Sequence, residues 1–207
     1  MTEAIAGVLL AGGLSRRMGG GDKCLRPLGG RTILAQIVER VRPQVRHLVL
    51  NANGDPARFA MYGLPTVGDS IEGFAGPLAG VLSGLEWTLR NAPDCAWLAS
   101  FPTDAPFLPR DLVDRMMQAV ARSGADMACA TSGGRAHPVV GLWPVRLADD
   151  LRRAMVEEDI RKVDVWTARY RLEPVDFPVE PFDPFFNTNR PEDLEAAEAL
   201  VREGAGR

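Results

Sequence analysis

The sequence predicts an α/β fold, a mostly parallel sheet with helices on both faces. Two observations predict it. Short apolar runs alternate with segments of helical spacing from residue 5 to about residue 130. Four successive runs end in polar or flexible residues, namely Gly12-Gly13, Asn51, Asp69 and Asp104. Parallel sheets bind ligands beyond the carboxyl ends of their strands, so four such ends in a row outline a site.

Each element can be justified in turn. Ile5 to Leu10 is a continuous apolar run closed by glycines, which suits a buried strand. Thr32 to Val41 has apolar residues at helical spacing, and Pro43 closes it. His47 to Leu50 is a second strand, ending in the turn-rich Asn51-Ala52-Asn53-Gly54. A short helix is expected over Ala57 to Tyr62, then a strand end at Thr66-Val67 before Asp69. Gly76-Pro77 opens a long helix to about Arg90. Cys95 to Phe101 is a strongly apolar strand running into Pro102-Thr103-Asp104. Pro109 opens a helix to about Ala121, and Asp126 to Ala130 forms a strand. Ser132-Gly133-Gly134-Arg135 reads as a turn leading to a strand over Val139 to Trp143. Helices are expected near Leu147 to Val156 and over Ile160 to Arg169. The last helix starts at Pro191, with Glu192 and Asp193 in its first turn, and Gly204 can end it.

Composition narrows the function. The chain has 207 residues, 46% apolar and 25% charged, with a net charge of -3. That size suits one domain, and no repeat or long linker divides it. No basic excess advertises a nucleic-acid surface. The N-terminal apolar run is too short to span a bilayer and lacks a basic flank, so neither a membrane nor secretion is expected. Cys24, Cys95 and Cys129 are far apart, with no zinc spacing and no disulfide framework, which fits a reducing cytoplasm.

The chemistry gathers in Leu10 to Lys23, LAGGLSRRMGGGDK. After a strand, its glycines let backbone N–H groups approach phosphate, and two arginines and a lysine supply cations. Neither a P-loop nor a dinucleotide fingerprint fits: Asp22 precedes Lys23, Cys24 follows it, and the glycines are wrongly spaced. A merely mobile, basic surface loop would leave the other polar strand ends unexplained. Asp104 follows the most apolar strand. Such a carboxylate can cap a turn, but beside a phosphate loop it is a natural Mg²⁺ ligand.

These residues resemble those of the molybdenum cofactor guanylyltransferase family, the MobA-type nucleotidyltransferases. The match comprises Leu10-Ala11-Gly12-Gly13, Arg17-Met18-Gly19, Asp22-Lys23-Cys24-Leu25, Asn51-Ala52-Asn53 and Asp69-Ser70. It continues with Gly76 to Gly80, Pro102 to Pro106, His137-Pro138, Asn187-Thr188-Asn189 and Pro191 to Leu194, so it spans about residues 5 to 200. Asp22-Lys23, Asn51-Ala52-Asn53 and Arg161-Lys162-Val163 tilt it toward the guanylyl-transferring branch. Cys24 and the Gly19-Gly20-Gly21 run depart from the pattern at tolerant positions.

The resemblance implies a Rossmann-like three-layer α/β/α fold of the nucleotide-diphospho-sugar transferase type. Residues 1 to about 130 would form its nucleotide-binding half, and about 131 to 207 its acceptor-binding half. It implies transfer of GMP from GTP to molybdopterin or molybdenum-molybdopterin, with release of pyrophosphate. Leu10, Ala11, Gly12 and Gly13 would meet the nucleotide, Lys23 and Arg17 the phosphates, and Asn51 and Asp69 the nucleoside. Asp104 would hold Mg²⁺. Asn187 and Asn189 would sit near the transfer centre or acceptor, and Arg161 and Lys162 would read the acceptor phosphate. Other cofactor-biosynthesis proteins and client molybdoenzymes would be further partners.

Physical chemistry leaves several of these assignments open. Guanine needs an acceptor facing its N1–H and N2–H₂ donors; Asp69 is a candidate, but backbone carbonyls would serve. His137 could contact an anionic acceptor or be a plain turn histidine. Arg161 and Lys162 could be a solvated helix face. Cys24 next to Lys23 reads as an unremarkable thiol, and the four tryptophans and Met116-Met117 as packing. A CTP-dependent sister enzyme and a non-catalytic GTP-binding cofactor carrier would share much of this pattern.

Overall fold

The computed structural model describes residues 3–11, 22–73 and 76–204. Nine strands and six helices follow one another among these residues: β1 (Ile5–Leu10), β2 (Pro27–Leu28), β3 (Arg31–Thr32), α1 (Ile33–Val41), β4 (His47–Asn51), β5 (Thr66–Val67), α2 (Pro77–Asn91), β6 (Trp97–Pro102), α3 (Leu112–Ser123), β7 (Met127–Ser132), β8 (Arg135–Pro144), α4 (Ala148–Val156), α5 (Val163–Thr167), β9 (Leu172–Phe177) and α6 (Pro191–Arg202). Seven strands form one sheet in the order β5-β4-β1-β6-β8-β7-β9. β1, β4, β5 and β6 are parallel neighbours, and β9 is parallel to β7; only β8 runs antiparallel to the strands beside it. β2 and β3 form a separate small hairpin.

The three-layer α/β/α expectation holds. Side chains of α1, α3 and α6 pack with Leu9, Phe101 and Phe177 on one face of the sheet. Side chains of α2, α4 and α5 pack with Val8, Val49 and Trp143 on the other. The alternation inside β1 explains this: Leu9 and Val8 are both fully buried but point to opposite layers.

Four sequence expectations need correction. The helix after Pro109 begins only at Leu112, because Pro109 to Asp111 make a turn in which Leu112 N–H donates to the Pro109 carbonyl at 3.4 Å. The helix expected over residues 160 to 169 shrinks to α5. Asp159 has a positive φ of 52° and Lys162 is extended, so helical backbone starts after them. β8 begins at Arg135 rather than Val139, because Gly133 and Gly134 (φ 53° and 76°) make a two-residue turn that lets pairing start at once. No strand is expected over Leu172–Phe177, where β9 lies. It contains Pro174 and alternates buried and exposed positions, the signature of an edge strand, where proline is tolerated.

Candidate functional site

The parallel strands β1, β4 and β6 end side by side in Leu10, Asn51 and Pro102. Hydrogen bonds tie the residues just past these ends together. Ala11 N–H donates to the Asn51 carbonyl at 2.8 Å, and Thr103 Oγ1 donates to the Leu10 carbonyl at 2.9 Å. Leu10 and Ala11 thus stand between the Asn51 and Asp104 sides of the site. Gly12, Gly13 and Arg17 lie outside the described residues, as does the rest of 12–21.

One cluster centres on Asp104. Lys23 Nζ lies 3.3 Å from Asp104 Oδ2 and donates to Asn189 Oδ1 at 2.5 Å. Thr188, fully buried, donates from its N–H (2.8 Å) and its Oγ1 (3.1 Å) to the Asp104 carbonyl. The end of the Asn187 side chain stands 3.2 Å from Asp104 Oδ1 and 3.3 Å from the Phe185 carbonyl, and with its nitrogen there it donates to both. The residues Asn187, Thr188 and Asn189, far from Asp104 in sequence, therefore fold directly over it. The next helix sets their position: Asp193 Oδ2 accepts from the N–H groups of Asn189 and Arg190, both at 2.8 Å. Asp193, one of the two acidic residues expected in the first turn of α6, is thus its capping carboxylate.

A second cluster centres on Asp69. Asn51 Nδ2 donates to Asp69 Oδ1 at 3.0 Å, and Asn53 Nδ2 donates to Asp69 Oδ2 at 2.8 Å. Asp69 N–H returns a bond to Asn53 Oδ1 at 2.8 Å. Asn51 is buried and Asn53 exposed, so the carboxylate spans the rim of the site. Helix α2 packs tightly here. A Cβ at Gly80 would come within 2.5 Å of Asn51 Oδ1 and 2.7 Å of Leu10 Cδ2, so only glycine lets the helix this close.

Arg161 and Lys162 are exposed, just before α5. Arg161 pairs with Asp159 at 2.8 Å, and its carbonyl lies beside Gly76 at the start of α2. The bonds that build the Asp104 and Asp69 clusters come from other residues.

Sequence reasoning missed three participants. Ser132 Oγ donates to Asp183 Oδ1 at 2.9 Å and is 2.7 Å from His137 Nε2. Serine has one O–H proton, and the carboxylate takes it, so His137 Nε2 carries a hydrogen and donates to Ser132. Asp183 Oδ1 also accepts from Phe185 N–H at 2.9 Å, and the His137 ring packs on Phe185 at 4.5 Å between centroids. His137 is therefore neither a plain turn residue nor isolated: it braces the segment that carries Asn187. Burial depresses its pKa, outweighing the opposite pull of Asp183. The third missed residue is Arg58, paired with Asp22. The prolines around Asp183 and the Asn53 to Arg58 turn were visible in sequence, but nothing local said what they faced. Cys24 is buried, and burial first, then Asp22, pushes its thiol up to about 12, which makes it inert.

The MobA-like NTP transferase domain model matches residues 7–171. The chain is 57% identical to the molybdenum cofactor guanylyltransferase of Rhodopseudomonas palustris (strain BisB5), covering 96% of this chain and 94% of that one. It is 58% identical to the protein of the same name from Bradyrhizobium sp. (strain ORS 278), covering 97% and 94%. The fold is similar to the crystal structure of molybdopterin-guanine dinucleotide biosynthesis protein A from Archaeoglobus fulgidus. That likeness has a TM-score of 0.72 at 24% identity and covers 96% of this chain and 99% of that one.

Proposed function

Since the chain belongs to the molybdenum cofactor guanylyltransferase family of MobA-like NTP transferases, we propose that it transfers GMP from GTP to molybdopterin or its molybdenum form, releasing pyrophosphate. The observation that carries this reading is the meeting of Lys23, Asp104, Asn187 and Asn189 at the carboxyl edge of the sheet, with the Asn51–Asp69 pair two strands away.

The proposed reaction needs no general base. A phosphate monoester has a second pKa of roughly 6, so the attacking oxygen on the acceptor is already ionised at pH 7. The task left for the protein is alignment and charge neutralisation. Lys23 has three N–H donors; Asp104 and Asn189 engage two, and a third can meet a phosphate oxygen. Arg17 and the backbone of Leu10 to Gly13 would add to that cradle. Asn51 and Asn53 hold the Asp69 carboxylate at the rim, where it can accept from a nucleoside donor.

The residues around Asp104 fit Mg²⁺. With the Asn187 amide in its other orientation, its oxygen would lie 3.2 Å from Asp104 Oδ1, so the two side chains can offer oxygens at one place. Asp104 and Asn187, with Asn189 beside them, are the hard oxygen donors that Mg²⁺ takes together with substrate phosphates. When bound, the ion would neutralise charge on the α-phosphate and leaving group. In this reading residues 1 to about 130 serve the nucleotide and about 131 to 207 the acceptor, with Arg161 and Lys162 reaching the acceptor phosphate from beside α2. Three buried free cysteines support a reducing compartment, the cytoplasm.

The test is pyrophosphate release with Mg²⁺ and a molybdopterin acceptor, run with GTP, CTP, ATP and UTP. Acceptor-dependent release with GTP is expected, falling about a hundredfold or more in an Asp104→Asn variant that still folds. Release with CTP instead of GTP would move the chain to a cytidylyl transferase. Nucleotide binding without release from any of the four would leave a carrier role.

A further inference from the structure

We infer that Arg58 is a positioning residue that holds the catalytic Lys23 turn against the nucleoside turn by neutralising Asp22; this rests on the GTP-dependent reading of the site. Asp22 immediately precedes Lys23 and opens its 3-10 turn, where Leu25 N–H donates back to the Asp22 carbonyl at 3.0 Å. A carboxylate in that place is a liability. Left unpaired, it would compete with Asp104 for the Lys23 ammonium and repel an incoming triphosphate.

Arg58 removes the liability. Its Nε lies 2.5 Å from Asp22 Oδ2, off the line of a regular hydrogen bond but well within ion-pair range. Nη2 donates to the Asn53 carbonyl at 2.6 Å, and Nη1 donates to the Asp55 carbonyl at 2.8 Å. The guanidinium stacks over the ring of buried Phe59 at 4.7 Å, which fixes its plane. Asn53 is the residue whose amide grips Asp69, so one guanidinium joins the phosphate side of the site to the nucleoside side. The planar fork is what makes the three-way contact; a lysine could reach one partner at a time.

The sign of coupling between the two residues tests this. GTP-dependent pyrophosphate release is measured for the parent, Arg58→Ala, Asp22→Asn and the double variant, with melting temperature recorded for each. Arg58→Ala should lower kcat/KM for GTP about tenfold to a hundredfold, since a displacement of roughly 1 Å costs that much. Asp22→Asn alone should cost less. In the double variant the unpaired charge is gone, so activity should recover above that of Arg58→Ala. A residue that only props up the fold would give the opposite: additive damage, with loss following the melting temperature. Arg58→Gln, which removes the charge but keeps a polar side chain, carries the comparison if the alanine variant does not fold, and should also be improved by Asp22→Asn. Activity within twofold of the parent after loss of Arg58, or a double variant worse than the single one, would overturn the inference. A parent inactive with GTP would instead count against the GTP reading. The same four chains would then be compared by their affinity for GTP, with the same order expected and a flat series refuting the role of Arg58.

Discussion

Replacing Gly80 with alanine should separate helix propensity from site geometry. In a helix interior, alanine is favoured over glycine by about 1 kcal/mol. Here the new Cβ would sit 2.5 Å from Asn51 Oδ1 and 2.7 Å from Leu10 Cδ2, where real Cβ contacts stay beyond 3.0 Å. The Asn51 carboxamide must therefore move by at least about half an ångström, in a site where that side chain is buried. Its bond to Asp69 Oδ1, now 3.0 Å, would stretch toward the limit of a hydrogen bond. Overpacking costs about 1–3 kcal/mol and a weakened bond to a charged acceptor about 1–2 kcal/mol. The propensity gain offsets part of this, leaving a net loss of about 1–4 kcal/mol. Urea unfolding measures that loss, and steady-state kinetics should show KM for GTP rising about tenfold, the equivalent of ~1.4 kcal/mol. A Gly80→Ala chain more stable than the parent, with KM unchanged, would refute the claim that α2 sets the position of Asn51.

Two other predictions concern groups away from the reacting centre. Asp150 accepts from the Tyr170 hydroxyl, from Trp166 Nε1 at 3.1 Å and from Arg153 at 3.2 Å; the Tyr170 bond above all holds its pKa below the usual carboxylate range. Its contribution is present above about pH 4 and is lost as pH falls through the lowered folded value. Asp150→Asn should therefore cost about 1–2 kcal/mol at pH 7 in thermal or urea unfolding, and the gap should narrow as pH falls below about 4. A gap that stays constant across that range would argue against the ionised carboxylate as its source. Cys24, with its pKa near 12, should be only about one part in ten thousand thiolate at pH 8. Iodoacetamide should accordingly leave it unlabelled in the folded protein and label it in urea; rapid labelling of the native chain would contradict its burial.

How much of this was legible in the sequence depends on the range of the interaction. The alternation of strands and helices was readable because periodicity and punctuation are local: β1, α1, β4 and α2 lie where apolar spacing, Thr32, Pro43 and Gly76-Pro77 put them. Candidate residues at strand ends were readable because a parallel sheet presents those ends together. Edge strand β9 was not, since its half-exposed pattern and Pro174 mimic a loop until β7 stands beside it. Nor do local residue patterns say that Asn187 and Asn189, which only the family resemblance puts near the transfer centre, fold over Asp104, some eighty residues away, or that Arg58 answers the charge of Asp22. Residue types alone determined which chemistry was available: carboxylate, ammonium, amide and glycine. Which of those groups face one another was decided only by the tertiary structure, because hydrogen bonds and ion pairs depend on distances of a few ångströms, and chain separation does not encode them.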